Sequence, residues 1–194
     1  MIRSQFDSSI VSTIVVCVCL LFVATLRADT GDSERPSRKG LDERQLQGVE
    51  EMEELRIAFE NNQQIVSIAR CYRMTDAAMY EIRDITSLTT LYASCRSDIS
   101  DYGMQCLEKL TNLETLSVRG ETITNEGVES LAKLTKLKKL YLIGGEMDND
   151  CLATIVKLKN LETIYISQTN ITEDTALFLR EELPNCKVKI QAKR

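Results

Sequence analysis

The sequence predicts an α/β fold: a short right-handed solenoid with a parallel β-sheet on its concave face and α-helices on its convex face. Three observations predict it. Apolar residues recur every 24 positions, as in Leu113, Leu137 and Leu161, or Leu116, Leu140 and Ile164. Each copy closes on an apolar residue followed at once by a helix-capping side chain, as in Ile123-Thr124 and Met147-Asp148. Behind each cap, apolar residues return at helical spacing, as in Val128, Leu131 and Leu134. Self-similarity at such a period marks stacked repeats, each one supersecondary unit.

The chain opens on Arg3 and an apolar run from Ile10 to Leu26, broken only by Ser12, Thr13 and Thr25 and ended by Arg27 and Asp29. The run suits a long signal-peptide core and is marginal for a membrane span, which takes roughly 20 apolar residues. Residues 1–28 therefore read as an export segment, either a signal cut after Ala28 or a retained anchor attached to the membrane through residues 10–26. The product is periplasmic, secreted or anchored. A buried N-terminal helix is the weaker reading, because the run has no polar face. Cys17 and Cys19 lie inside the apolar core, whereas a lipoprotein cysteine would end it.

Residues 29–44 read as a solvated linker, with Gly31, Pro36, Ser37 and Gly40 and few apolar residues. Residues 45–64 then form an N-terminal capping helix. Leu46, Val49, Met52, Leu55 and Phe59 recur every three or four positions, and Glu50, Glu51, Glu53 and Glu54 fill the gaps. The acidic run reads as a solvated helix face rather than a binding patch.

Residues 65–190 hold about five repeats, and 191–194 a short tail. Written from its first leucine, the unit is L-x-x-L-x-L-x-x-x-x-I, best seen from Leu113 to Ile123 and repeated from Leu137 and Leu161. A copy from Leu88 carries one extra residue before Ile99, and a degenerate one runs from Ile65 through Ile68 to Met74. The closing pairs are Met74-Thr75, Ile99-Ser100, Ile123-Thr124, Met147-Asp148 and Ile171-Thr172. Asp76, Asp101, Asn125, Asn149 and Glu173 follow them. A Thr, Ser or Asp oxygen satisfies a free N–H at a helix start, and acids there complement the helix dipole. Leu183-Pro184-Asn185-Cys186 breaks the last helix and leads into Val188 and Ile190, a final edge strand. A single unit buries too little apolar surface to offset the cost of ordering it, so the units must stack and the ends need covers.

These units resemble the leucine-rich-repeat family over about Ile65 to Lys189. Thr124 to Gly127, followed by Val128 and Leu131, resembles the helical subclass of roughly 24 residues, which includes the GALA and cysteine-containing types and exported bacterial proteins. Leu183 to Cys186 is similar to endings of the family. One departure matters. The family often carries Asn or Cys at the ninth position, bonding neighbouring turns, but here that position holds Glu121, Gly145 and Thr169. The expectation is a looser stack of turns.

Composition removes several chemistries. The chain of 194 residues has no His, so Ser-His-Asp triads, Cys-His pairs and His-bearing zinc sites are impossible within it. Lys, Tyr or carboxylate catalysis stays formally open, but no acid, base and nucleophile converge. No enzyme activity, metal or cofactor is expected. A net charge of −5 does not favour nucleic acid as a partner. The partner expected is a protein. Five cysteines follow the export segment: Cys71, Cys95, Cys106, Cys151 and Cys186. They lack metal-ligand spacing, and Cys71 and Cys95 fall near matching positions on adjacent strands, open to a disulfide. Asn170-Ile171-Thr172 is an acceptor sequon that matters only in a eukaryotic secretory pathway.

The candidate binding face is the outward side of the strands, where residues between buried leucines point away from the core. One column reads Ala69, Tyr92, Ser117, Tyr141 and Tyr165, a second Ser67, Thr90, Thr115, Lys139 and Thr163, and a third Cys71, Ser94, Arg119, Ile143 and Ser167. Tyr and Arg are favoured interface anchors. The candidate site is accordingly Tyr92, Thr115, Ser117, Arg119, Lys139, Tyr141, Thr163 and Tyr165, although tyrosine also suits any exposed strand. Lys133, Lys136, Lys138, Lys139, Lys157 and Lys159 cluster near the helix-to-strand turns, where positive charge is ordinary stabilisation of helix C-termini. Gly103 and Gly127 share one helix position, read as close helix-to-sheet approach. The leading function is an extracytoplasmic recognition module. The alternative is an intracellular adaptor, like related repeats that select substrates for ubiquitin ligases, but no adaptor-binding domain fits between residues 29 and 60.

Overall fold

The computed structural model describes residues 36–60, 67–68, 74–94 and 97–193. The export segment, Cys71 and Cys95 lie outside them, and so does the disulfide expected as an option there. Helix α1 (Glu43–Glu60) leads into strand β1 (Ser67–Ile68), α2 (Asp76–Ile82), β2 (Thr90–Ala93) and α3 (Asp101–Gln105). Then follow β3 (Thr115–Arg119), α4 (Asn125–Glu129) with a 3₁₀ turn at Ser130–Lys133, and β4 (Lys139–Ile143). A 3₁₀ turn at Asn149–Cys151 runs into α5 (Leu152–Ile155), and β5 (Thr163–Thr169), α6 (Thr175–Glu182) and β6 (Lys187–Ala192) complete the chain.

The strands form one parallel sheet in sequence order, β1 to β6. The register repeats the sequence period: Thr115 pairs with Lys139, Lys139 with Thr163, and Thr163 with Lys187. Between β2 and β3, Thr90 pairs with Thr115, which accommodates the extra residue of that unit. Alternate strand residues turn inward. Leu116, Leu140 and Ile164 are fully buried, together with Met104, Val128, Leu131 and Ile155 from the convex elements. Strand and helix of one unit thus share a core with those of the next.

Helix α1 starts two residues before the expected capping segment. Asp42 and Gln45 exchange bonds, Gln45 N donating to Asp42 Oδ1 and Asp42 N to Gln45 Oε1, both at 2.9 Å. This reciprocal cap fixes the helix start. The acidic run is only in part the solvated face expected: Glu50 is exposed, but Glu51 is buried, and Glu53 accepts from Arg38 at 2.9 Å. α1 packs on α2 through buried Val49 and Met52. Arg56 Nε donates at 3.1 Å to the carboxylate of Glu81, whose side chain is 1% exposed, and Arg38 lies 3.6 Å from it. A buried carboxylate needs such partners.

The stack of turns is held more firmly than its ninth position implied. Asp76 Oδ1 accepts from Ser100 N at 2.9 Å and Oδ2 from Ser100 Oγ at 2.5 Å. Asp101 repeats this on Thr124, at 2.8 Å from N and 2.7 Å from Oγ1. In the next unit the cap is Asp148, itself an acceptor, and the ladder residue is an amide. Asn125 Nδ2 donates to Asp148 Oδ1 at 2.7 Å, and its Oδ1 accepts from Asp148 N at 3.0 Å. Asn149 then accepts from Thr172 N at 3.1 Å. These side chains were read as partners of the helix dipole; they bond one repeat to the next. Asp below the hydroxyl caps Ser100 and Thr124, and Asn below the carboxylate cap Asp148, are pairings that fit donor and acceptor chemistry, while Asn149 meets the hydroxyl of Thr172 by donating Nδ2 to its Oγ1 at 3.4 Å.

The same ladder corrects the reading of the glycines. A Cβ on Gly103 would collide with Asp76 Oδ1, and one on Gly127 with Asp101 Oδ1. The missing side chain makes room for the carboxylate below, not for the sheet. Where the residue below is Asn125 or Asn149, the position holds Cys151 or Thr175. Gly145, at the ninth position, has φ +101°, and a Cβ there would lie 2.6 Å from Ile123 O. That close approach lets Glu146 N donate to Ile123 O at 2.7 Å. Thr172, expected to cap α6, takes the ladder bond instead. The helix starts later, behind Asp174, without a side-chain cap.

Candidate functional site

The outward columns are in register as the period requires. Tyr92 stands opposite Ser117, Ser117 opposite Tyr141, and Tyr141 opposite Tyr165. Parallel strands bring matched residues to about 4.8 Å spacing. The Tyr141 and Tyr165 rings lie 6.4 Å apart, centre to centre, tilted by 48°. Tilted pairs at this distance are favourable, and they restrict each other's rotamers. Tyr165 donates its hydroxyl to Gln191 Oε1 at 2.7 Å. Both rings are half-buried, while Tyr92 is 40% exposed.

Thr115, Lys139 and Thr163 form the second column as expected. Ser117 does not reach the surface. It is 5% exposed, because it sits in register between the rings of Tyr92 and Tyr141. Ser167 is buried too, beside the β5 bulge at Gln168, whose φ is +59°. Arg119 lies 3.3 Å from Glu121, so its charge is shared with the strand end.

Two residues of this face were missed. Lys187 and Lys189 on β6 continue the columns, opposite Thr163 and Tyr165. Lys189 Nζ stands 5.3 Å from the Tyr165 ring centre, a cation–π distance. The signal was present in the alternation Lys187-Val188-Lys189-Ile190, which extends the spacing from Lys139 and Tyr141 by two periods.

Several of the lysines near the turns serve the stack. Lys109 pairs with Asp84 at 2.7 Å, Lys138 with Glu114 at 2.8 Å, and Lys133 with Glu108. Lys136 donates to Asn112 Oδ1 at 2.6 Å. These bonds join neighbouring units, while Lys159 Nζ also donates at 3.5 Å to Glu182 O at the end of α6, as the helix-end reading expects. The side-chain hydrogen bonds of Glu114 lift the Lys138 ammonium above its ordinary value. Burial pushes the thiols of Cys106 and Cys151 up to about 12, so neither is a nucleophile near neutral pH. Among the described residues no group of three or more His, Cys, Asp or Glu is placed to hold a metal ion. No helix among them is long and apolar enough to cross a membrane.

Strand–turn–helix units of nearly constant period, one parallel sheet in sequence order and a single core running along the stack define a leucine-rich-repeat solenoid, the fold of a class of protein-binding modules. Solved structures agree. An internalin (inlF) from Listeria monocytogenes is 25% identical, with a TM-score of 0.55 over 70% of this chain and 36% of that one. An internalin C2 (inlC2) from the same organism is 20% identical, with a TM-score of 0.54 over 66% of this chain and 51% of that one. The chain therefore spans about a third to a half of the length of these neighbours. No protein-family model matches the sequence, and no curated protein matches it.

Proposed function

We propose that this chain is an extracytoplasmic recognition module that holds a protein partner on the open face of its sheet and performs no reaction of its own. The observation that carries the reading is the Tyr141–Tyr165 pair. It presents two mutually packed aromatic rings on a rigid sheet, so little rotamer entropy is lost on binding. Tyr92, Thr115, Arg119, Lys139 and Thr163 lie on the same face, and Ser117 stands in register beside Tyr141. A good aromatic anchor is worth ~2 kcal/mol, about thirtyfold in affinity. The units are read as the helical, roughly 24-residue subclass of the repeat, with α1 as the N-terminal cover.

The test is a cross-linking pull-down of the exported protein, followed by affinity measurement on the partner recovered. Tyr141→Ala with Tyr165→Ala should lose most binding and keep the fold, since neither ring fills the core. Glu129→Ala on α4 should change little. Full affinity in the tyrosine variant, with loss in the helix variant, would place the interface on the other face. The extracytoplasmic part rests on the apolar run behind Arg3. Val16→Arg with Leu20→Arg should strand the protein in the cytoplasm, and unchanged export would refute it.

A further inference from the structure

We propose that the open face selects an acidic, extended segment of its protein partner, seated across β4, β5 and β6. The inference rests on the binding face argued above and adds the chemistry of what binds there. The chain carries a net charge of −5, yet the outward strand positions from β2 to β6 hold no Asp or Glu. They hold Lys139, Lys187 and Lys189, gathered around Tyr141 and Tyr165. Lys109, Lys133, Lys138 and Lys159 each have a carboxylate within ion-pair distance. Among the described residues, Lys139, Lys187 and Lys189 have none. Lys39, Lys136, Lys157 and Lys193 also lack a carboxylate partner among the described residues, but none of them lies on these columns of the sheet. Three unneutralised ammonium groups on one face of an acidic protein form a local positive field that attracts acidic partners and repels basic ones.

Spacing favours an extended chain. Lys139 and Lys187 share a column two strands apart, close to 10 Å at ~4.8 Å per strand. Carboxylates three residues apart on an extended segment of polyproline II form share one face and span a similar ~9 Å. Between the two lysines lies Thr163, with the tyrosine pair alongside to take the apolar parts of the segment. A nucleic acid fits poorly: three cations are few for a phosphate backbone, and the remainder of the chain is acidic.

The experiment is selection of a displayed random peptide library against the full chain at low ionic strength, with affinities of the selected peptides measured by fluorescence polarisation. Selected peptides should be rich in Asp and Glu and should weaken as salt is raised. Lys187→Gln with Lys189→Gln should weaken them about fivefold to tenfold, as expected for two exposed charge pairs. Lys187→Glu with Lys189→Glu should abolish them, with an unchanged circular dichroism spectrum. Acidic peptides that bind the charge-reversed protein undiminished would overturn the proposal, as would a library yielding no binder. Heparin bound through these lysines, with no acidic peptide selected, would replace the protein segment by an anionic polysaccharide. Neutral or basic peptides lost in the Tyr141→Ala, Tyr165→Ala variant would overturn the acidic partner but leave the binding face standing. Peptides indifferent to both sets of variants would overturn both.

Discussion

Gly127 offers the sharpest test of how the repeats hold together. It lies inside α4, where replacing glycine by alanine ordinarily stabilises a helix by about 0.5–1 kcal/mol. Here the new methyl group would occupy the place of Asp101 Oδ1. The carboxylate would have to move, breaking its bonds to Thr124 N and Thr124 Oγ1, at 2.8 and 2.7 Å. Hydrogen bonds to a charged group contribute about 1.5–3 kcal/mol each, and the partial exposure of this pair argues for the lower end, about 3 kcal/mol together. The loss outweighs the helix gain, so Gly127→Ala should destabilise the protein by about 2 kcal/mol. Asp101→Ala alone should cost about 3 kcal/mol for the same two bonds. In that background the obstruction is gone, and Gly127→Ala should be neutral or stabilising, by no more than about 1 kcal/mol. Contacts to Ile123 Cγ2 at 3.1 Å and Met104 Cγ at 3.2 Å trim the gain. Urea denaturation of the four proteins, followed by circular dichroism, closes the cycle. Strictly additive effects, or a stabilised Gly127→Ala single variant, would refute the account.

Three further outcomes follow from the same geometry. Asn125→Asp places a carboxylate against Asp148 and should lower the melting temperature; adding Asp148→Thr recreates the Asp101–Thr124 pairing and should restore it, and a double variant no better than the single would exclude the donor–acceptor logic. Burial raises the Cys106 and Cys151 thiols from 9.0 to about 12. The folded state therefore keeps protons that the unfolded chain releases, so this contribution is intact below pH 9 and declines as pH rises toward 12. Cys106→Ala with Cys151→Ala should flatten that decline in denaturation midpoints, and an unchanged slope would show that other groups cause it. Deleting residues 41–62 would uncover the surface beneath Val49 and Met52 and remove Arg56 from Glu81. Aggregation or a markedly lower melting temperature should result, and an unaltered melting curve would count against α1 as a cover.

The period alone carried the architecture. Once Leu116, Leu140 and Ile164 are seen to repeat, strand alternation places Tyr141 beside Tyr165 and Lys139 beside Thr163, because parallel strands of equal units stack without choice of register. The same arithmetic extends to Lys187 and Lys189. What the period does not carry is which neighbour a side chain meets off its own strand or helix. Asp76 and Asp101 read equally well as dipole partners or as ladder bonds; only the approach of the next unit shows that Ser100 and Thr124 take both oxygens. Ser117 lies at an outward position, yet it is buried, in register between Tyr92 and Tyr141 of the two flanking strands. Glu81 sits on a helix of ordinary pattern, yet Arg56 and Arg38 from the N-terminal segment close over it. Repetition determines backbone placement because each unit solves the same burial problem. Side-chain partners depend on the volume and donor chemistry of residues one repeat away, and those are decided only when the units pack.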